Sequence, residues 1–262
     1  MTALLNRRRQ HLRHREAPER AELRAESVSV SFSGLMALSD VTFGASQGEI
    51  VGLIGPNGAG KTTLLNVLTG FQSPTQGRVL LDGRDVSAWT PQQLARAGLS
   101  RTFQGVRPFG RLTVRDNIAI GALGVGVAPA EARRRAETLL LQYGLEDFAL
   151  MPASALPAGL QRRLGIARAL AAQPRVLLLD EPAAGLNEVE GDELVSLVSK
   201  VRADSGCAVV VVEHAMRVIM KLCDRLHVLD GGQTLATGTP AEIRADTRVR
   251  EAYLGVGTAA NA

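Results

Sequence analysis

The residues best suited to chemistry lie in the glycine-rich stretch GPNGAGKTT, at positions 55–63. This stretch follows the apolar run EIVGLI, a predicted buried strand, and precedes TLLNVLTG, a predicted helix. A glycine pattern between a strand and a helix is typical of a phosphate-binding loop. Its glycines let the backbone approach a ligand closely, and the loop amides and the helix N-terminus point at an anion. An accidental glycine-rich turn is the alternative interpretation.

Each residue of this loop has an expected role. Lys61 is expected to reach the β- and γ-phosphates of a nucleotide, and the Thr62 hydroxyl to ligate Mg²⁺. The other candidate nucleotide-binding residues of the loop are Gly55, Asn57, Gly58, Gly60 and Thr63.

A second candidate site is the segment RVLLLDEP, in which an apolar strand ends in Asp180 and Glu181. Ligands of α/β proteins bind at the carboxyl edge of the sheet, where such a strand would place both acids. Asp180 is expected to hold Mg²⁺, directly or through water, and Glu181 to polarise an attacking water. Phosphoryl transfer depends on positioning and charge neutralisation, so these few groups suffice. A solvated strand end is the alternative.

The elements that position these residues alternate along the chain and predict an α/β fold with a largely parallel core sheet. Predicted strands are ESVSVSF, VTFGASQGEIVGLI, GRVLLDGRDV around an Asp-Gly turn, RVLLLDEP, AVVVVEH, RLHVLDGG and QTLATG. Predicted helices are PQQLARAG, AEARRRAETLLLQY, RRLGIARALAA, EVEGDELVSLVSKVRAD and AMRVIMKLCDRL. Residues 88–165 lack strong strand signals and are predicted to form an inserted helical subdomain.

Composition restricts the function further. Aromatic residues make up only 3% of the 262 residues, which argues against a surface that stacks nucleic-acid bases. The basic run RRRQHLRHR predicts a disordered, solvated tail over residues 1–24, with contact to anionic lipid or RNA as the alternative. Apolar runs are too short to span a membrane. Cys207 and Cys223 are predicted to be buried apolar residues in a reducing compartment.

Taken together, these motifs resemble the ATP-binding subunits of ABC transporters over residues 25–255, followed by a C-terminal tail over 256–262. The resemblance implies a RecA-like P-loop ATPase core with an ABC β-subdomain and an inserted α-helical subdomain, and ATP and Mg²⁺ as cofactors. Phe32 matches the aromatic residue that stacks on adenine. Gln104, in SRTFQ, matches the glutamine that senses Mg²⁺ and the γ-phosphate, and His214 matches the histidine that contacts the γ-phosphate.

Each of these three residues also has a simpler interpretation. Phe32 could pack in the core, Gln104 could be an ordinary surface residue, and His214 could cap a buried strand. The remaining histidines, His11, His14 and His227, match no motif and are expected to be structural or exposed to solvent.

The segment LPAGLQRRLGIARAL, at 156–170, occupies the position of the family signature L-S-G-G-Q but departs from it. Pro157 replaces the serine, Ala158 the first glycine and Leu160 the glutamine, whereas Gly159 remains. The resemblance implies that this helix N-terminus, with Pro157 and Gly159, faces the ATP held by another subunit. A hydrogen bond to a charged phosphate contributes about 1.5–3 kcal/mol, so losing the serine predicts a weaker composite site.

The altered signature, together with RTFQGVRPFGRLTVRDNI, EPAAGLN, ATGTPAEI and EAYLG, resembles the branched-chain (hydrophobic) amino-acid uptake branch. This resemblance implies an ATP-hydrolysing importer subunit, peripheral on the cytoplasmic face of the bacterial inner membrane. Implied partners are permease subunits, a second ATP-binding subunit in a heterodimer or homodimer, and, indirectly, a periplasmic solute-binding protein; nucleic acid is not expected. VRPFGRLTVRDN is the predicted contact with the permease.

Other functions remain open at this point. The transported solute could be urea, another amide or another small molecule, and the related lipopolysaccharide-export ATPases also resemble the chain. A soluble ABC ATPase acting on ribosomes or DNA, or a regulatory subunit that binds ATP without hydrolysing it, are alternatives from other classes.

Overall fold

The computed structural model describes residues 22–103 and 108–254. Its strands are β1 (Glu22–Phe32), β2 (Leu35–Ser46), β3 (Ile50–Ile54), β4 (Gln76–Leu81), β5 (Arg84–Asp85), β6 (Leu99–Arg101), β7 (Val176–Asp180), β8 (Ala208–Val212), β9 (Arg225–Asp230) and β10 (Gln233–Gly238). Its helices are α1 (Lys61–Leu68), α2 (Pro91–Arg96), α3 (Val114–Gly124), α4 (Pro129–Gln142), α5 (Ala158–Leu170), α6 (Glu188–Ser205), α7 (Met216–Leu222), α8 (Pro240–Ala245) and α9 (Thr247–Leu254).

The central sheet has six strands in the order β10-β9-β3-β8-β7-β6. All neighbours in it are parallel except β9 and β10, which form an antiparallel pair. A second sheet is antiparallel, in the order β2-β1-β4-β5. The predicted α/β fold with a largely parallel core sheet is therefore confirmed.

Both faces of the central sheet are buried at β3, β7 and β8, which explains why these strands are almost continuously apolar. In β8, Val209 and Val211 join a core with the helices α3 to α7, whereas Val210 and Val212 join a core with α1 and the antiparallel sheet. Successive side chains point to opposite faces of a strand, so one run of valines serves two cores. Each fully buried Val contributes roughly 1.5–3 kcal/mol.

Three details differ from the sequence expectations. β1 begins at Glu22, inside the predicted tail of residues 1–24, because Glu22 pairs with Ser46 and its backbone amide donates to Asp82. The stretch VTFGASQGEIVGLI contains the end of β2 and all of β3, which lie in different sheets and are separated by a turn with Gly48 at φ 74°. Strand β6 lies inside the segment expected to be helical; three residues are too short to show a periodic pattern.

The predicted amphipathic pattern is clear in α4, which buries Ala132, Ala136 and Leu140 and exposes Arg133 and Arg134. None of the described helices combines the length and the apolar character that crossing a bilayer requires.

Cys207 and Cys223 are buried free thiols, as predicted, and burial raises the pKa of Cys223 to about 12.

Candidate active site

The phosphate-binding loop leaves the buried strand β3 at Ile54 and ends where α1 begins at Lys61. Gly55 has φ 152°, and a Cβ atom there would lie 2.1 Å from the carbonyl oxygen of Leu229. Gly58 has φ 81° with open space around it. The two glycines are therefore required for different reasons: Gly55 by close packing on the end of β9, and Gly58 by its left-handed backbone.

Lys61 is the buried charge of this loop, with only 6% of its surface exposed. Its Nζ donates hydrogen bonds to the carbonyl oxygens of Gly55 and Pro56, both at 2.8 Å. Burial lowers the pKa of Lys61, and the nearby Glu181 carboxylate partly opposes this effect. The loop thus folds around a cation, and an anion bound there would gain that charge. Next to it, Thr62 and Asn57 are exposed and Thr63 is half-buried.

The strand register brings distant residues to one edge of the sheet. Leu53 of β3 and Asp180 of β7 both lie opposite Val212 of β8, so the ends of the three parallel strands are level. The phosphate-binding loop follows the first of these strands, the acid pair ends the second, and Glu213 and His214 follow the third. This is the carboxyl edge at which α/β proteins bind ligands.

Asp180 is held by Arg101, a residue that the sequence did not single out as functional. Arg101 Nη2 donates to Asp180 Oδ2 at 2.8 Å, and the two side chains are only 7% and 11% exposed. Arg101 Nη1 also donates to Asn66 Oδ1 at 2.8 Å and to Thr69 Oγ1 at 3.2 Å, both on or directly after α1. The only sequence signal is its position in RTFQ, which by itself says nothing about Asp180.

Glu181 and His214 face each other across the site. Glu181 Oε1 lies 3.2 Å from His214 Nε2, and the histidine side chain is 41% exposed. Glu181 has a left-handed backbone, with φ 47°, and its amide donates to the carbonyl oxygen of Val212 at 2.8 Å. Non-glycine residues seldom adopt this conformation, and functional sites are one of the places where it is found. The structure therefore joins the two residues that were predicted separately.

Glu213 is a second residue that sequence reasoning missed. Its side chain is 2% exposed, and its carboxylate accepts hydrogen bonds from three backbone amides. Oε1 accepts from Ala183, and Oε2 accepts from His214 at 2.8 Å and from Ala215 at 3.1 Å. One carboxylate thus ties the segment after Glu181 to the segment that carries His214. A charged residue directly after a buried valine strand was the available signal.

Comparisons with known proteins agree with this geometry. The ABC transporter family matches residues 38–184, which is more than half of the chain and includes the loop and the acid pair. The chain belongs to the ABC transporter ATP-binding family. A second family, described as the branched-chain amino acid ATP-binding cassette transporter, matches residues 233–259 of this ABC ATPase.

Individual relatives of the ABC ATPase cover almost the whole chain. The high-affinity branched-chain amino acid transport ATP-binding protein LivG of Salmonella typhimurium is 43% identical, over 89% of this chain and 97% of LivG. The protein of the same description named BraF, from Pseudomonas aeruginosa, is 39% identical with the same coverage. A crystal structure of the ADP conformation of an ATP-binding cassette of an ABC transporter superposes with a TM-score of 0.81. It is 29% identical, and the match covers 90% of this chain and 99% of that one.

Of the other predicted residues of the ABC ATPase, Phe32, Pro157 and Gly159 are exposed. Phe32 is 46% exposed at the end of β1, so it does not pack in the core. Pro157 is the N-cap of α5 and makes no side-chain cap hydrogen bond, and Pro157 and Gly159 are both exposed. Gln104 lies outside the described residues.

The oxygen donors at the edge fit a magnesium ion that is shared with phosphates. Within the described ranges, no group of three or more His, Cys, Asp and Glu side chains could form a protein-only metal cage. The Thr62 hydroxyl and the Asp180 carboxylate are hard oxygen ligands, and Mg²⁺ is usually held by one or two such groups together with substrate phosphates and waters. The donor set therefore suits Mg²⁺.

His227, which matched no motif, is structural. It is 1% exposed in β9, and its ring nitrogens lie 3.1 Å and 3.2 Å from the hydroxyls of Thr234 and Thr237 on β10. Phe43 packs edge-on against the ring. Burial, helped by the charge of Arg225, lowers the pKa of His227 to about 4.

Proposed function

We propose that this chain is the ATP-hydrolysing subunit of an importer for branched-chain or other hydrophobic amino acids. The observation that carries the hydrolytic part is the Glu181–His214 contact of 3.2 Å beside the phosphate-binding loop and Asp180. The amino-acid part is supported by the descriptions of LivG and BraF and by the branched-chain family match over residues 233–259.

The proposed roles follow the positions of the groups. Loop amides and Lys61 bind the phosphates, Thr62 and Asp180 hold Mg²⁺, and Glu181 accepts the proton of the attacking water. His214 orients Glu181 and contacts the γ-phosphate. The metal would supply neutralisation of phosphate charge. The other proposed nucleotide contacts are Phe32, Gly55, Asn57, Gly58, Gly60 and Thr63, with Gln104 as a further sensor of the metal and the γ-phosphate.

Subunits of this family work with membrane permease components, and we propose a docking surface for them. An open cleft of about 900 Å³ extends from Asp180 and Glu181 to the helices α3 and α5. Phe71, Phe103 and Phe109 line it, and each is about half exposed. Exposed aromatic residues beside a catalytic edge suit a permease helix, whose movement would then be coupled to the site. The predicted contact segment VRPFGRLTVRDN includes Phe109 of this cleft.

We also propose an assembly and a domain division. The exposed, serine-free start of α5 would face the ATP of a second, different ATP-binding subunit, with a homodimer as the alternative. The ATPase domain, expected over residues 25–255, would begin at Glu22 with β1, and its helical subdomain, expected over residues 88–165, would exclude β6, which lies in the central sheet. The subunit would lie on the cytoplasmic face of the inner membrane and meet the periplasmic solute-binding protein only through the permease.

Replacing Glu181 by glutamine tests the proposed function. The Glu181→Gln variant should bind ATP as well as the wild type, because Gln still fills the site. Its turnover, measured by phosphate release, should fall about 10²–10⁴-fold because a general base is lost. Glu188→Gln is the matched control, since that side chain is 82% exposed at the start of α6. Unchanged turnover in Glu181→Gln would rule out Glu181 as the base.

A further inference from the structure

Arg101 has several contacts besides Asp180 that hold its guanidinium in place. Besides the bond to Asp180, its guanidinium donates to Asn66 and Thr69. The guanidinium carbon lies 4.9 Å from the ring centre of Phe103 and 5.8 Å from that of Phe71. Contacts of this kind hold a cation at one place by hydrogen bonding and by attraction to the aromatic faces. Asp180 could therefore turn to another cation without Arg101 leaving.

The ion pair between Asp180 and Arg101 affects how strongly the Asp180 carboxylate can bind a metal ion. The Arg101–Asp180 pair is almost fully buried, so water screens it little. A carboxylate that already has a close cation is a weaker ligand for a second one, and the fixed guanidinium repels a divalent ion nearby. Without the arginine, Asp180 would be an uncompensated buried charge next to the phosphate-binding loop.

We propose that Arg101 is the counter-ion of Asp180 in the metal-free site and sets how strongly nucleotide binding depends on Mg²⁺. Its charge lets phosphates approach Asp180 before the metal is present. The same charge keeps Asp180 from binding Mg²⁺ tightly until the phosphates supply further negative ligands. Arg101 is thus a positioning residue, and this role rests on the proposed Mg²⁺–ATP site.

The test is the affinity of a fluorescent, non-hydrolysable ATP analogue, measured by anisotropy in EDTA and in saturating Mg²⁺. In Arg101→Gln the uncompensated Asp180 should weaken binding in EDTA, and Mg²⁺ should restore it. The ratio of the two dissociation constants should therefore rise roughly tenfold or more over that of the wild type. Arg101→Lys keeps the charge but loses the guanidinium fork, so its ratio should lie between those of the wild type and of Arg101→Gln.

Two further variants separate this role from support of the fold. Arg101→Met retains an apolar stem beside the two phenylalanines and should show the same rise as Arg101→Gln. Arg175→Gln is the matched control, because it also removes an arginine paired with an aspartate, Asp82, and should leave the ratio unchanged. Asp180→Asn alone and together with Arg101→Gln completes the cycle: because asparagine carries no charge to compensate, adding Arg101→Gln to Asp180→Asn should change the ratio far less than Arg101→Gln does in the wild type.

The outcomes distinguish this inference from the proposed function. A wild-type protein whose analogue affinity is independent of Mg²⁺ would overturn the proposed Mg²⁺–ATP site itself. The wild type could instead depend on Mg²⁺ while Arg101→Gln and Arg101→Met show an unchanged or smaller ratio of the dissociation constants in EDTA and in Mg²⁺. That result would overturn only the role of Arg101. Equal weakening with and without Mg²⁺ would likewise overturn it, because it would show that Arg101 supports the loop rather than Asp180.

Discussion

Replacing Glu213 by glutamine tests whether one buried carboxylate holds the catalytic edge together. Both oxygens of Glu213 accept backbone hydrogen bonds: one from Ala183, and the other from His214 and Ala215. Glutamine keeps a single acceptor oxygen and puts an NH₂ group where the other oxygen was. Whichever way the amide turns, at least one backbone N–H then faces a donor in a site that is 2% exposed.

The magnitude follows from these contacts. A hydrogen bond to a charged acceptor contributes about 1.5–3 kcal/mol, and an orphaned buried donor adds a desolvation cost. We expect Glu213→Gln to lower the free energy of unfolding by about 3 kcal/mol. Because Glu181 and His214 lie on the two segments that Glu213 joins, their spacing should loosen. A displacement of about 1 Å can reduce kcat about 100-fold, so we expect a loss of roughly 10- to 100-fold with little change in KM for ATP.

Urea unfolding and steady-state phosphate release measure these two effects. Glu193→Gln is the matched control: its side chain is 62% exposed, 3.6 Å from Arg163, and the change should alter stability by no more than about 0.5 kcal/mol. The reasoning is refuted if Glu213→Gln loses stability but keeps kcat within about threefold of the wild type, which is less than 1 kcal/mol of barrier. Glu213 would then support the fold without positioning the site.

Two other predictions concern pH and the loop. His227 has a pKa of about 4 in the folded protein and about 6.5 in an unfolded chain, so between these values only the unfolded chain takes up the proton. The free energy of unfolding should therefore fall as pH falls through this window, by up to about 3 kcal/mol. In urea titrations at several pH values, His227→Leu should make the free energy of unfolding less dependent on pH. An unchanged pH dependence in this variant would show that other groups cause it. Gly55→Ala should destabilise the protein by several kcal/mol more than Gly58→Ala. The added Cβ would lie 2.1 Å from the Leu229 carbonyl oxygen at position 55 but in open space at position 58. Thermal unfolding measures the difference, and equal shifts of the two variants would contradict it.

Much of the fold could be predicted because it is encoded locally. The runs AVVVV and VLLLD are long enough to show a strand buried on both faces, and their positions match β8 and β7. By contrast, β6 has three residues and no periodicity of its own, so only its pairing with β7 defines it. Similarly, the turn at Gly48 sends β2 and β3 into different sheets, and the short polar break SQGE in the sequence does not by itself reveal this change.

The sequence by itself determined the chemical groups of this protein. Two motifs are recognisable in the sequence: the glycine-rich loop with Lys61, and the acid pair that ends a buried strand. In each, the residues are adjacent in the chain, and their backbone conformation depends on near neighbours. Only the tertiary structure decided how the charges are compensated. Arg101 and Asp180 are 79 positions apart, and Glu213 and Ala183 are 30 apart. These contacts exist because the parallel register places Arg101 at the end of β6 opposite Leu178, close to Asp180 at the end of β7, and aligns Asp180 with Val212 at the end of β8. A buried charge is stable only where such partners meet it.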